Sequence, residues 1–120
     1  MYCLDTYALI EIAIGNPKFA FLMKEQYVIP NTTLGEFCWV LIKEDNEHVA
    51  DLWTSKLKNR SVLVSTETIL KAQFFREKNK KKNLSFFDCA GYQFALDKKY
   101  EFVTGDKEFK NLPGVKFIPK

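Results

Sequence analysis

Glu101-Phe102-Val103-Thr104-Gly105-Asp106 is the stretch whose reading decides the fold of this chain. Phe102 and Val103 make it a short apolar strand, and Gly105-Asp106 stop it, leaving an acid just past its carboxyl end. The N-terminus carries a counterpart, since Tyr2-Cys3-Leu4 is an apolar run that ends at Asp5. In an open parallel sheet, ligands bind beyond the carboxyl ends of the strands, near the point where strand order reverses. Asp5 and Asp106 are therefore expected to point at the same edge of one sheet.

Working outward, three further runs read as strands: Tyr27-Val28-Ile29, stopped by Pro30, then Val62-Leu63-Val64, and Val115-Lys116-Phe117-Ile118. Helical patterns fill the gaps between them. Thr6 can cap a helix carrying Leu9, Ile10, Ile12 and Ala13, and Pro17 opens a second helical stretch. Asn31, Thr32 or Thr33 can cap a helix in which Leu34, Phe37, Cys38 and Leu41 recur at helical spacing. Asp45 and Asn46 restart a helix with Val49, Leu52 and Trp53, and Ser65 caps another that runs toward a lysine cluster. Ser85 caps the last, whose apolar stripe reads as Phe87, Ala90, Gly91, Phe94 and Ala95. Short strands alternating with helices predict an α/β layered domain with a largely parallel sheet, spanning residues 1–120 as one unit.

Composition is compatible with that reading. Hydrophobic residues make up 47% of the 120, with eleven Phe, which is enough apolar material for a packed core. No segment approaches the roughly 18 uninterrupted apolar residues that a membrane span needs. No basic stretch followed by an apolar one opens the chain, so an intracellular, cytoplasmic address is expected. Cys3, Cys38 and Cys89 are odd in number and widely spaced, and read as three buried thiols rather than a disulfide frame or zinc site. The net charge of +3 is mild. Its distribution is more telling, because Arg76, Lys78, Lys80, Lys81 and Lys82 fall in one short stretch that reads either as a solvated loop or as a phosphate-contacting patch.

The chemistry lies in the acids. Asp88 stands three residues after Ser85, in a first helical turn and beside an apolar stripe, so it is expected to face inward. Glu36 sits similarly in the helix after Pro30. Taken singly, each of Asp5, Glu36, Asp88 and Asp106 reads as well as a loop cap or helix-start charge. Four acids arriving from four element ends are different, because clustered carboxylates repel and raise one another's pKa unless a cation neutralises them. An all-oxygen site suits Mg²⁺ or Mn²⁺, and such a site supports metal-assisted attack of water on a phosphodiester.

Rival chemistries lack their residues. His48 is the only histidine, which removes a two-histidine ribonuclease, and it reads as an exposed helix residue. There is no phosphate-binding glycine loop, dinucleotide fingerprint or serine nucleophile elbow. An aspartyl-phosphate enzyme of the haloacid-dehalogenase type wants a second Asp two residues after Asp5, where Tyr7 stands.

Leu4-Asp5-Thr6, Thr32-Thr33-Leu34-Gly35-Glu36-Phe37, Ser85-Phe86-Phe87-Asp88 and Val103-Thr104-Gly105-Asp106-Lys107-Glu108-Phe109, followed by Leu112-Pro113-Gly114-Val115, stand in the order found in PIN domains. The chain resembles that family over nearly its whole length, and within it the VapC-type toxins of prokaryotic toxin–antitoxin pairs. The resemblance implies a PIN-like three-layer sandwich, a parallel sheet of about five strands between helices, and a Mg²⁺- or Mn²⁺-dependent endoribonuclease. By position it implies Asp5, Glu36, Asp88 and Asp106 as the acidic metal-binding and catalytic residues. Thr6 and Thr104 match supporting hydroxyl residues. Glu108 stands where many relatives carry a further aspartate, and reads as an outer member of the site or as a surface glutamate.

The expectation is thus an endoribonuclease that hydrolyses RNA phosphodiester bonds as the toxin of a VapBC-type pair. Asp5, Asp88 and Asp106 would ligate the metal, Glu36 would complete its shell or hold its water, and in-line attack would leave a 5′-phosphate and a 3′-hydroxyl. Arg76, Lys80, Lys81 and Lys82 are candidates for RNA contact. Expected partners are RNA, a small antitoxin protein and a second copy of the chain, with no membrane. Phe19, Phe21, Trp39 and Trp53 are read mainly as core and secondarily as a dimer surface. Two other readings stay open: a housekeeping RNA-processing nuclease, and a non-catalytic PIN-like module that binds RNA or protein.

Overall fold

In the computed structural model, which describes residues 1–120, the N-terminal apolar run forms β1 (Tyr2–Leu4) at the centre of a five-stranded sheet. β2 (Tyr27–Pro30) and β4 (Glu101–Thr104) flank it, and β3 (Ser61–Val62) and β5 (Val115–Phe117) form the edges, giving the order β3-β2-β1-β4-β5. Every neighbouring pair is parallel. Cys3 stands opposite Phe102 and Leu4 opposite Val103, so the first and fourth strands end together. Strand order reverses at β1, which makes the cleft beyond β1 and β4 the expected ligand position.

Five helices complete the fold: α1 (Thr6–Ala13), α2 (Asn31–Glu44), α3 (Glu47–Leu57), α4 (Thr66–Lys78) and α5 (Phe86–Lys98). Short 3₁₀ segments cover Pro17–Lys24, Lys58–Arg60 and Lys107–Phe109. The two-residue period of a strand sends alternate side chains to opposite faces. Leu4, Val103 and Ile29 therefore join one core with Leu9, Phe19, Phe37 and Leu41 from the α1–α3 side. Cys3 and Phe102 join the other, with Ala72 from α4 and Ala90, Tyr92 and Phe94 from α5. The result is the three-layer sandwich expected. Gly91 lets α5 approach closely, since a Cβ there would lie 3.2 Å from Thr33 Oγ1 and 3.4 Å from the Phe102 ring.

Several local expectations are corrected. Asp5, not Thr6, occupies the N-cap position of α1, and its side chain makes no capping bond because it is engaged elsewhere. Pro30 precedes α2 directly, and the Asn31 side chain instead accepts a hydrogen bond from Val64 N at 3.3 Å. That bond takes Val64 out of the third strand, which ends at Val62 and leaves Leu63 83% exposed. The helical stretch that Pro17 opens is present and is 3₁₀. On α5, Phe87 turns outward, while Tyr92, absent from the expected stripe, is buried and donates to the Pro113 carbonyl at 2.6 Å. Cys38 is only half-buried, unlike Cys3 and Cys89. Phe19 is wholly buried and Trp53 half-buried, whereas Phe21 and Trp39 are exposed. His48 is exposed, as read. No helix is long and apolar enough to cross a membrane.

Candidate active site

Asp5 leaves β1 where α1 begins, and is nearly buried. Its Oδ2 accepts a hydrogen bond from Thr104 Oγ1 at 2.6 Å. The same hydroxyl accepts from Asp106 N at 3.1 Å, so the last residue of β4 orients one acid and anchors the backbone of another. Asp106 in turn accepts from Glu108 N at 3.0 Å and caps the short 107–109 turn. Gly105 between them is obligatory, because a Cβ there would fall 2.2 Å from the Tyr7 ring and 2.5 Å from the Ile118 carbonyl.

The other two acids come from helix starts. Thr6 Oγ1 donates to Glu36 Oε1, tying the first turn of α1 to α2. Ser85 and Asp88 form a capping box at the start of α5: Ser85 N donates to Asp88 Oδ2 at 2.8 Å, and Asp88 N donates to Ser85 Oγ at 3.1 Å. Ser85 thus holds Asp88 as well as starting the helix, a role readable from the S-x-x-D spacing but read only as a cap.

The electrostatics link these groups. Burial pushes Asp5 up to about 7; the Thr104 hydrogen bond lowers it, and the charges of Asp88 and Glu36 raise it. Burial also raises Glu36, against the Thr6 hydrogen bond, with Asp88 adding to the rise. Asp88 is raised by burial, lowered by its bonds to Ser85, raised by Asp106 and lowered by Arg76. Asp5, Glu36, Asp88 and Asp106 therefore share one field at one sheet edge, with Thr6 and Thr104 between them.

Glu108 gives one carboxylate oxygen to the segment at residues 82–83. Its Oε2 accepts from Asn83 N at 3.0 Å, and its carbonyl accepts from Lys82 Nζ at 3.1 Å. Arg76, Lys80 and Lys82 line an open polar cavity of about 470 Å³ formed with Gln73, Glu77 and Asn83. Lys81 is exposed and does not line it. Another buried acid, Glu11, accepts from Asn16 Nδ2 at 2.8 Å and serves the end of α1.

As the side chains stand, no group of three or more His, Cys, Asp or Glu is gathered closely enough to hold a metal ion. Each of the four carboxylates takes a hydroxyl or amide donor instead. The donor set still fits a hard divalent cation, being all oxygen and mutually destabilised as anions. Thr32 Oγ1, one turn before Glu36, is also buried without a hydrogen-bond partner.

The PIN domain family model matches residues 2–115. No curated protein matches the sequence. Among solved structures, a toxin–antitoxin complex from Klebsiella pneumoniae superposes with a TM-score of 0.76 at 21% identity, over 97% of this chain and 96% of that one. The sarcin–ricin loop cleaving VapC toxin of Mycobacterium tuberculosis gives 0.79 at 15% identity, covering 100% and 98%. DNA-bound VapBC from Salmonella typhimurium gives 0.78 at 17%, covering 98% and 96%.

Proposed function

The chain belongs to the PIN domain family, and from that premise we propose that it is a divalent-metal-dependent endoribonuclease acting as the toxin of a VapBC-type pair. The observation that carries this reading is the convergence of Asp5, Glu36 and Asp88, carboxylates delivered from three separate elements to one edge of the sheet, where burial first and their neighbours' charge second raise them. Structural ion-pair networks surround acids with cations, whereas here burial is the largest cause, hydrogen bonds oppose it, and neighbouring acids act more strongly than the cations Lys43 and Arg76.

Asp5, Asp88 and Asp106 are the proposed ligands of Mg²⁺ or Mn²⁺, and Glu36 completes the set. A divalent ion bound there supplies Lewis-acid stabilisation of phosphate charge and lowers the pKa of water. The chain's own contribution is orientation. Thr104 fixes the carboxylate plane of Asp5 and the position of Asp106, Thr6 holds Glu36, and Ser85 holds Asp88. Arg76 and Lys80 to Lys82 give the adjoining rim a positive field for an RNA backbone. A small antitoxin and a second copy of the chain are the proposed protein partners; the first is supported by the toxin–antitoxin complexes among the structural neighbours.

The test is cleavage of a labelled single-stranded RNA with Mg²⁺, Mn²⁺ or EDTA by wild type, Asp5→Asn and Asp106→Asn. Metal-dependent cutting that disappears in both variants is expected. Cutting that survives EDTA or both substitutions places the activity elsewhere. Growth arrest on expression without a neighbouring antitoxin gene separates the toxin from a housekeeping nuclease.

A further inference from the structure

The cavity beside the carboxylates has a composition of its own. Six of its seven lining residues are polar, and three cations, Arg76, Lys80 and Lys82, face one carboxylate, Glu77. Lys80 is paired with Glu77 at 3.2 Å, but Arg76 and Lys82 are in no ion pair. A guanidinium and an ammonium with unused donors around an open polar hollow suit a tetrahedral oxyanion, and the forked donors of Arg match phosphate geometry. The hollow adjoins the carboxylate site, since Leu84 in its wall immediately precedes the capping box that carries Asp88.

The second observation is how its wall is held. Lys82 Nζ reaches the Glu108 carbonyl and Asn83 N reaches Glu108 Oε2, two bonds spanning 26 and 25 residues. Residues 82–83 lie between α4 and α5 and belong to no helix or strand, so this pair of bonds to one residue pins the loop beside the cavity. One oxygen of the Glu108 carboxylate is engaged by that loop.

We propose that this cavity is a phosphate subsite of the RNA cleft, taking one backbone phosphate next to the scissile one on Arg76 and Lys82, with Glu108 as the positioning residue that holds its wall. Glu108 is then no metal ligand, despite standing two residues beyond Asp106. The proposal rests on the ribonuclease reading for its ligand.

Anisotropy of a short fluorescein-labelled single-stranded RNA, titrated in EDTA across a salt series, tests the cavity without any contribution from metal. Calorimetric Mn²⁺ titration of the same proteins tests Glu108. The Arg76→Met/Lys82→Met double variant should bind RNA about tenfold more weakly, with its salt slope reduced by about 0.7, the loss of one single-strand phosphate contact. Glu108→Ala and Glu108→Gln carry the same charge, but only Gln keeps an oxygen for Asn83 N. Ala should therefore bind RNA roughly threefold more weakly than Gln, a fraction of one hydrogen bond's worth, and both should bind Mn²⁺ as wild type does. An unchanged salt slope in the double variant, or no measurable RNA binding by wild type, overturns the subsite. Equal RNA affinity of the two Glu108 variants overturns the positioning role, and weakened Mn²⁺ binding in both returns Glu108 to the metal. Absent Mn²⁺ binding in wild type overturns the carboxylate reading instead, and the salt slope in EDTA still decides the cavity.

Discussion

Thr104 Oγ1 donates to Asp5 Oδ2 at 2.6 Å, joining the ends of two strands that lie 99 residues apart in the chain. The bond forms because β1 and β4 run parallel in register, with Leu4 opposite Val103, so that the next residue of each strand meets across the cleft. The donor is fully buried, and its oxygen also receives Asp106 N.

Replacing Thr104 by Val keeps the shape but removes both bonds, stranding the Asp106 amide and leaving Asp5 without its donor. Outer partners of metal ligands are worth about 10- to 100-fold in affinity or activity. Thr104→Val is expected to lose that much in Mn²⁺ affinity and RNA cleavage, with Thr104→Ser close to wild type. Equal values for Val and wild type would remove Thr104 from the site.

Burial gives Asp5 a pKa of about 7 against an ordinary 3.8. The folded protein therefore keeps a proton that the unfolded chain releases, between about pH 4 and pH 7. Stability is highest below that window and falls as pH rises through it. Metal-free protein should be more stable at pH 5 than at pH 8. Asp5→Asn should remove most of the difference, on the order of 3 kcal/mol for the two pH units between pH 5 and the folded pKa. Urea unfolding at the two pH values checks this, and a wild type more stable at pH 8 contradicts it.

Metal binding should show the inverse dependence. A cation competes with the proton on Asp5, so Mn²⁺ affinity is expected to rise as pH increases toward 7 and then level off. At a hundredfold excess over its dissociation constant, Mn²⁺ should add about 2.7 kcal/mol of stability. Thermal shift at pH 7.5 reads this directly, and Asp88→Asn should largely abolish it.

Gly105 has no room for a side chain, with the Tyr7 ring and the Ile118 carbonyl closing over it. Gly105→Ala should destabilise the protein by about 1–3 kcal/mol, the usual cost of overpacking. It should also displace Asp106. A urea midpoint equal to wild type would mean that the C-terminal segment yields freely.

Local signals were enough for the elements themselves. Apolar runs at Tyr2–Leu4, Tyr27–Ile29 and Glu101–Thr104 became strands, and Asn46, Ser65 and Ser85 cap helices as their spacing suggests. Such signals depend on backbone propensity and on the first turn of a helix, both set within a few residues. They failed where a distant group competed. Asn31 serves Val64 instead of its own helix, and Phe87 and Tyr92 exchange places between surface and core.

The positions of the four acids at element ends were likewise legible, because an acid after a strand or three residues after a capping Ser is a local pattern. Their joint environment was not. The sheet order that sets β1 beside β4, the hydroxyl of Thr104 between Asp5 and Asp106, and the turning of Glu108 onto the loop at residues 82–83 all depend on contacts across 25 to 99 residues. What the amino-acid order determined alone is which carboxylates lie at the ends of elements. Only the packed sheet decided which of them feel one another, because desolvation and Coulomb coupling depend on distance and burial in space rather than on separation along the chain.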